Sequence, residues 1–327
     1  MNSVKTKVSV IMPVYNRSTL VVNALNSVLS QTILPHEIIV CDDGSEDKSA
    51  SIAREHLKSS GIKHKVITIQ NSGPSFARKT AIKESSGDWY FFLDSDDLWD
   101  KDYIESQLAI IESYSVDCVV SNFRIRNTRL ETLVCESKFD TIPKPFWDEL
   151  INEASAYISN NQSLFLNTFK FQPCFSSALS CSREGYNLAG GITLQSRTIK
   201  SEDSHFIRKL YYYCNVGFSC EPKVTIQLHS SNRSNDKIGQ IDLIGKLDGR
   251  LNILKLLLDE PNIGRTYMQE IKREIQTSTT NLFHTCYWGR DYAKAVLIYQ
   301  ELASNQKSVK IVIKYCLAKI LLLLIKK

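Results

Sequence analysis

The chain has 327 residues, 43% apolar and 23% charged, which is enough for a buried core in one large domain or two smaller ones. Its formal net charge is +5, yet from Ser304 onward there are six lysines (Lys307, Lys310, Lys314, Lys319, Lys326 and Lys327) and no acid. The body is therefore close to neutral, which argues against a nucleic-acid partner, whose binding face should be broadly basic.

Lys7 to Met12, KVSVIM, reads as a first strand, broken by Pro13-Val14-Tyr15-Asn16. Ser18 or Thr19 can cap the helix that follows, where Val21, Val22, Leu25, Val28 and Leu29 recur at helical spacing. Glu37 to Cys41 is a second apolar strand ending in Asp42-Asp43-Gly44-Ser45. A helix through Ala53 and Leu57 leads to a third strand, Lys65 to Ile69. After Asn71-Ser72-Gly73-Pro74 comes a helix carrying Arg78 and Lys79, closed by Gly87. The fourth strand is Trp89 to Leu93, and it runs straight into Asp94-Ser95-Asp96-Asp97.

Taken alone, those carboxylates fit a cation or ligand site at a strand end, or an acidic turn before a helix N-cap. The alternation of strands with helices favours the first. It predicts βαβ units and a mainly parallel sheet, in which the ends of strands one, two and four share an edge. Tyr15, Asp43 and Asp96 can then converge across 80 positions of chain.

A helix over 101–113 and a strand from Asp117 to Ser121 continue the α/β pattern. Periodicity then degrades as far as Phe171, apart from a strand pair around 123–135. Phe175 to Ser182 is strand-like, Gly190-Gly191 marks a tight passage, and Ser201 fits an N-cap with Glu202 and Asp203 in the first turn. Lys223 to Leu228 is a short strand leading into His229, and from about Gln240 the pattern is helical to the end. The expected division is a domain over 1–235, with halves at 1–121 and 122–235, and a helical extension over 236–327. Nine scattered cysteines without metal spacing suit reduced thiols in a cytosolic protein. The N-terminal run does not read as a signal peptide, and no segment has the ~20 apolar residues of a membrane span.

Together these pieces resemble the family-2 glycosyltransferases. VSVIMPVYN (8–16), CDDGSEDKS (41–49), NSGPSFARKTAI (71–82), LDSDD (93–97) and GGI…SEDSHF (190–206) are similar to that family's successive motifs, in order. The resemblance covers about 1–230 and implies a GT-A nucleotide-sugar-binding fold, with a C-terminal helical extension added here. It implies that Pro13, Val14 and Tyr15 cradle the base of a nucleotide-sugar, most simply UDP, and that Asp43, with Asp42 as a weaker candidate, accepts from the base N–H. Arg78 would approach the nucleotide or diphosphate, Asp94 and Ser95 the donor's ribose side, and Asp96, with Asp94, a Mn²⁺ or Mg²⁺ ion, with Asp97 supporting either aspartate. His229 falls where relatives place a histidine near metal or diphosphate; an ordinary surface histidine is the alternative. Asp203 would be the catalytic base and Glu202 its orienting partner or an acceptor contact. Lys79 departs from the asparagine usual after Arg78.

The implied reaction is an inverting, metal-dependent sugar transfer to a glycan or lipid-linked saccharide, in a setting such as surface polysaccharide or lipopolysaccharide assembly. Its rival is a GT-A-like module that binds without turnover. A calcium loop is excluded because Leu98 and Trp99 stand where a ligand and a glycine belong. An aspartate-nucleophile phosphatase leaves the other four motifs without a role. The lysine-studded tail from Val309 to Ile325 is read either as a helix packed on the protein or as a peripheral contact with the inner face of the cytoplasmic membrane. Lys319 falls opposite Lys307, Lys310 and Lys314 on a helical wheel, so the tail is not a simple amphipathic helix.

Overall fold

The computed structural model describes residues 6–153, 155–159, 163–193, 203–229 and 240–325. The chain divides into two compact units, Met1–Arg197 with Phe206–His229, and Thr198–His205 with Ser230–Lys327.

The first unit is built on β1 (Val8–Val14), β2 (Glu37–Asp42), β3 (Lys63–Thr68) and β4 (Trp89–Phe92), joined by α1 (Val21–Leu29), α2 (Ser49–Lys58) and α3 (Pro74–Lys83). These four strands form the expected parallel block, in the order β3-β2-β1-β4. β1 and β2 are buried along their whole length because helices cover both faces, which is why they read as continuous apolar runs. Val8, Val10, Met12 and Val14 pack with α1 and α2, while Ile11, Ile39, Tyr90 and Phe92 pack with α3 on the opposite face.

Beyond this block the sheet is mixed. β5 (Leu98–Trp99) and α4 (Tyr103–Ser113) are followed by β6 (Cys118–Asn127) and β7 (Thr132–Cys135), the expected strand pair. Next come the short α5 (Lys144–Trp147), β8 (Ile151–Asn152), β9 (Ala156–Ser159) and α6 (Ser163–Asn167), then β10 (Leu179–Ser182) and α7 (Arg183–Leu188). β10 lies antiparallel between β4 and β6. α8 (Asp203–Tyr213) leads to β11 (Val216–Leu228), which runs parallel to β6 and antiparallel to β5 and β9. β11 has 13 residues where a strand of six was expected; its first half pairs across a register shift between Ser219 and Val224 that interrupts the pattern.

Two local readings are corrected. β1 continues through Pro13, which lies past the last β4 partner pair, Ile11 with Phe92, so its missing N–H costs no ladder bond there. α1 has neither Ser18 nor Thr19 as a cap: its N-cap is Leu20, without a side-chain bond, and the Ser18 N–H instead donates to Asp47. Ser201 and Glu202 lie outside the described residues. All nine cysteines are free.

The second unit holds α9 (Gln240–Leu258), α10 (Arg265–Trp288), α11 (Tyr292–Glu301) and α12 (Val309–Ile325). Leu251, Leu282, Phe283, Ala295 and Ile298 form its core, and Tyr299 stacks on Tyr315 at 3.8 Å. Among the described residues no helix is long and apolar enough to cross a membrane.

Candidate active site

β1, β2 and β4 run in the same direction and end along one edge, so Tyr15, Asp42-Asp43 and the 94–97 loop emerge side by side there, where open α/β sheets hold their ligands. Tyr15 is exposed just past the buried Pro13 and Val14. Its turn is fastened to the next loop: the Asn16 N–H donates to Ser45 Oγ at 2.9 Å, and Asn16 Oδ1 accepts from the Glu46 N–H at 2.9 Å.

The two aspartates after β2 do different work. Asp42 accepts from the Ser45 N–H at 3.2 Å and from its hydroxyl, so it shapes its own turn. Buried Asp43 accepts from the N–H groups of Ser72 at 2.6 Å and Gly73 at 2.8 Å, binding β2 to the start of α3. Gly73 has φ 97° and ψ 156°, a conformation essentially confined to glycine, and Pro74 follows at the first turn of α3, where proline is pre-organised. α3 then presents Arg78, buried, with Nη2 2.6 Å from Asp94 Oδ1. Lys79 is on the exposed side of the same helix, so the departure from the family pattern falls on solvent.

The three carboxylates of the 94–97 loop are differentiated by their surroundings. Asp94 pairs with Arg78 and is about one-third exposed. Asp96 Oδ2 accepts from Arg17 Nε at 3.0 Å and lies 3.0 Å from His229 Nε2. Burial pushes the Asp96 carboxyl up, but the His229 hydrogen bond and the Arg17 charge prevail and hold it below the usual range. Asp97 is the buried one. It accepts from Ser177 Oγ at 2.5 Å and from the Gln227 N–H at 3.0 Å. Burial, with the charges of Asp96 and Asp94, pushes its carboxyl well above the ordinary value. Ser95 is buried between them.

His229 reaches Asp96 because β11 pairs with β5, Thr225 opposite Leu98, and ends at Leu228 beside the loop that precedes β5. Three residues of this cluster were not singled out in the sequence. Arg17 touches Asp96; Gln227 donates through its N–H to Asp97 and through Nε2 to the Asp96 carbonyl at 2.5 Å; Ser177 joins Asp97 to the Asp94 N–H, the latter at 3.1 Å. Arg17, two positions after Tyr15, and Gln227, two before His229, could have been found by proximity to named residues. Ser177, before an antiparallel strand inserted beside β4, carried no such signal.

Asp96 and His229 bring a carboxylate oxygen and an imidazole nitrogen to one point, with Asp96 Oδ1 taking neither contact. Among the described residues no three His, Cys, Asp or Glu side chains gather to hold a metal. The pair fits a divalent cation that takes its remaining ligands from phosphate oxygens and water, as Mg²⁺-type sites do. Asp203 is the first residue of α8, with Oδ1 accepting from the Ser204 N–H at 2.9 Å. Glu202 lies outside the described residues.

The model of the family described as glycosyl transferase family 2 matches residues 9–179, just over half of the chain. The chain is similar to the glycosyltransferase GlyA of Streptococcus pneumoniae serotype 4, 38% identical over 122 residues, which are 37% of this chain and 17% of that protein. It is also similar to the UDP-Glc:alpha-D-GlcNAc-diphosphoundecaprenol beta-1,3-glucosyltransferase WfgD of Escherichia coli, 36% identical over 121 residues, 37% of this chain and 47% of that one. The matched segment thus spans less than half the length of either relative. Among solved structures, Staphylococcus aureus TarS 1-349 in complex with UDP-GlcNAc superimposes with a TM-score of 0.60 at 18% identity, over 85% of this chain and 81% of that one. At that identity the likeness shows the fold, a mixed α/β sheet flanked by helices.

Proposed function

Since the chain belongs to glycosyl transferase family 2, we propose that it is an inverting, metal-dependent enzyme that moves a sugar from a nucleotide diphosphate, preferentially a UDP-sugar, to a hydroxyl of a glycan or lipid-linked saccharide. The observation that carries this reading is the grouping of Asp96, His229 and Arg17 on the strand edge that also carries Tyr15 and Asp43. Pro13, Val14 and Tyr15 cradle the base and Asp43 meets its ring N–H, sharing oxygens that already accept backbone N–H groups. Asp42 supports the same turn. Arg78 and Asp94 face the diphosphate and ribose with Ser95 between the aspartates. Asp96, with Asp94 and His229, holds Mn²⁺ or Mg²⁺; when bound, the ion neutralises charge gathering on the leaving diphosphate.

Asp203, oriented by Glu202, takes the proton of the acceptor hydroxyl, a contribution of roughly 10²- to 10⁴-fold. Attack on the anomeric carbon from the side opposite the diphosphate forms the new glycosidic bond as the old bond breaks, which inverts the configuration and needs no covalent sugar–enzyme intermediate. The setting we propose is polysaccharide or lipopolysaccharide assembly in the cytoplasm, at the inner face of the membrane. WfgD, by its name, uses UDP-Glc to glucosylate a diphosphoundecaprenol-linked sugar, which supports a UDP-sugar donor and a lipid-linked acceptor; TarS, solved with UDP-GlcNAc, supports the donor alone. The domains we propose are a catalytic one over 1–235 and a helical extension over 236–327; the larger compact unit ending at His229 supports the boundary between them, although Thr198–His205 group with the helical unit.

The direct test of the base is Asp203→Asn. Transfer should fall by about 10²-fold or more while UDP affinity stays within about twofold of the parent. Undiminished turnover would remove Asp203 from the role.

A further inference from the structure

The last described helix is apolar on two sides, and only one of them is used. Ile311 and Ala318 are buried, and Tyr315 stacks on Tyr299 of α11. Since an α-helix advances about 100° per residue, Val309, Ile313, Leu317, Ile320, Leu323 and Leu324 fall on the side facing away from that packing. They are between 43% and 76% exposed. A continuous exposed apolar stripe several turns long is unusual on a soluble surface and marks an interaction site.

What borders the stripe identifies its partner. From Leu302 to Ile325 there are four lysines and no acid. Lys310 flanks one edge of the stripe and Lys319 the other, so the cation that spoiled the simple wheel is the second rail of a two-sided arrangement. Both are exposed, and Lys319 reaches over the Tyr315 ring at 4.8 Å. Beyond the Lys310 edge, Lys314 sits 4.9 Å over the ring of Trp288, itself 64% exposed. Apolar residues with lysine on both edges and a tryptophan at the margin match an anionic bilayer surface: chains insert at the acyl boundary, ammonium groups meet lipid phosphates, and the indole sits at headgroup level. Two copies of this face would instead bring lysines against lysines with no acid on either helix to receive them.

We propose that α12 docks flat on an anionic membrane through this stripe, with Lys310 and Lys319 as the paired contacts to lipid phosphates. This deepens the membrane setting proposed above and rests on that reading for its purpose, while the docking itself is read out without any transfer reaction.

The test is flotation of the full chain with phosphatidylcholine vesicles, with and without about a third phosphatidylglycerol. Two variants accompany it, Leu317→Asp/Ile320→Asp/Leu324→Asp and Lys310→Glu/Lys319→Glu. All substituted residues are exposed, and the thermal midpoint and UDP binding of each preparation check the fold and the donor site separately. The parent should float with the anionic vesicles alone, and each variant should partition at least about tenfold less. Absence of flotation, equal flotation with both lipids, or variants that float like the parent would each overturn the proposal. So would a parent dimer that the triple variant dissociates while flotation stays unchanged, which would assign the face to a second copy.

Discussion

At the scale of single residues, three carboxylates within four positions are made unequal by their partners. Asp94 has Arg78, Asp96 has Arg17 and His229, and Asp97 has Ser177 and a backbone N–H. A cation that joins Asp96 must contend with the Arg17 guanidinium 3.0 Å from the same carboxylate. Replacing it in Arg17→Met removes that repulsion, so Mn²⁺ alone should bind the nucleotide-free chain about tenfold tighter, ~1.4 kcal/mol. Electron-paramagnetic titration of free Mn²⁺ reads this directly; an unchanged or weaker affinity would show that Arg17 does not oppose the ion. The aspartates were legible in the sequence because they directly follow apolar strands. Arg17 and Gln227 lie beside named positions, but their pairing with Asp96 and Asp97, like that of Ser177, was not legible, because these partners lie 79 to 131 positions away and depend on which strands become neighbours.

At the scale of elements, the parallel block was legible throughout and the mixed half only in part, through α4, the β6–β7 pair, β10 and the second half of β11. The first four strands alternate with amphipathic helices, so hydrophobic periodicity alone places them. β10 and the first half of β11 are held by non-local, partly antiparallel pairing, and a register shift interrupts the pattern that would have announced the longer strand. The joint between β2 and α3 depends on Gly73, whose dihedral angles other residues seldom adopt. Gly73→Ala should destabilise the chain by about 1–3 kcal/mol and, through Asp43, weaken nucleotide binding; urea unfolding and UDP titration measure the two effects. A neutral result in both would mean that the loop relaxes without cost.

The other end of β2 carries a buried charge. Burial disfavours ionised Glu37, but Lys63 at 2.8 Å, the Ser86 N–H and hydroxyl, and the Ser9 hydroxyl at 2.7 Å outweigh it and lower its carboxyl from 4.5 to about 2. The fold therefore favours the carboxylate. This stabilisation is complete above about pH 4.5 and fades as pH falls towards 2, up to roughly 3 kcal/mol in all. Glu37→Gln should lower stability at pH 7 and flatten its decline over that window. A variant with the parent's acid profile would show that Glu37 does not carry it.

At the scale of the whole molecule, the first unit carries the donor-side candidates and the second is helical. Helical periodicity made the second unit legible, but not the direction in which α12 turns its apolar residues, because both of its sides are apolar and only packing distinguishes them. The central claim is that Asp96 holds a divalent cation required for nucleotide binding. Calorimetric titration of UDP into the parent and into Asp96→Ala, each with and without Mn²⁺, tests it most directly. Mn²⁺ should tighten UDP binding to the parent at least about tenfold, ~1.4 kcal/mol, and leave the variant's affinity unchanged. An equal Mn²⁺-dependent gain in Asp96→Ala, or no gain in the parent, would contradict the account.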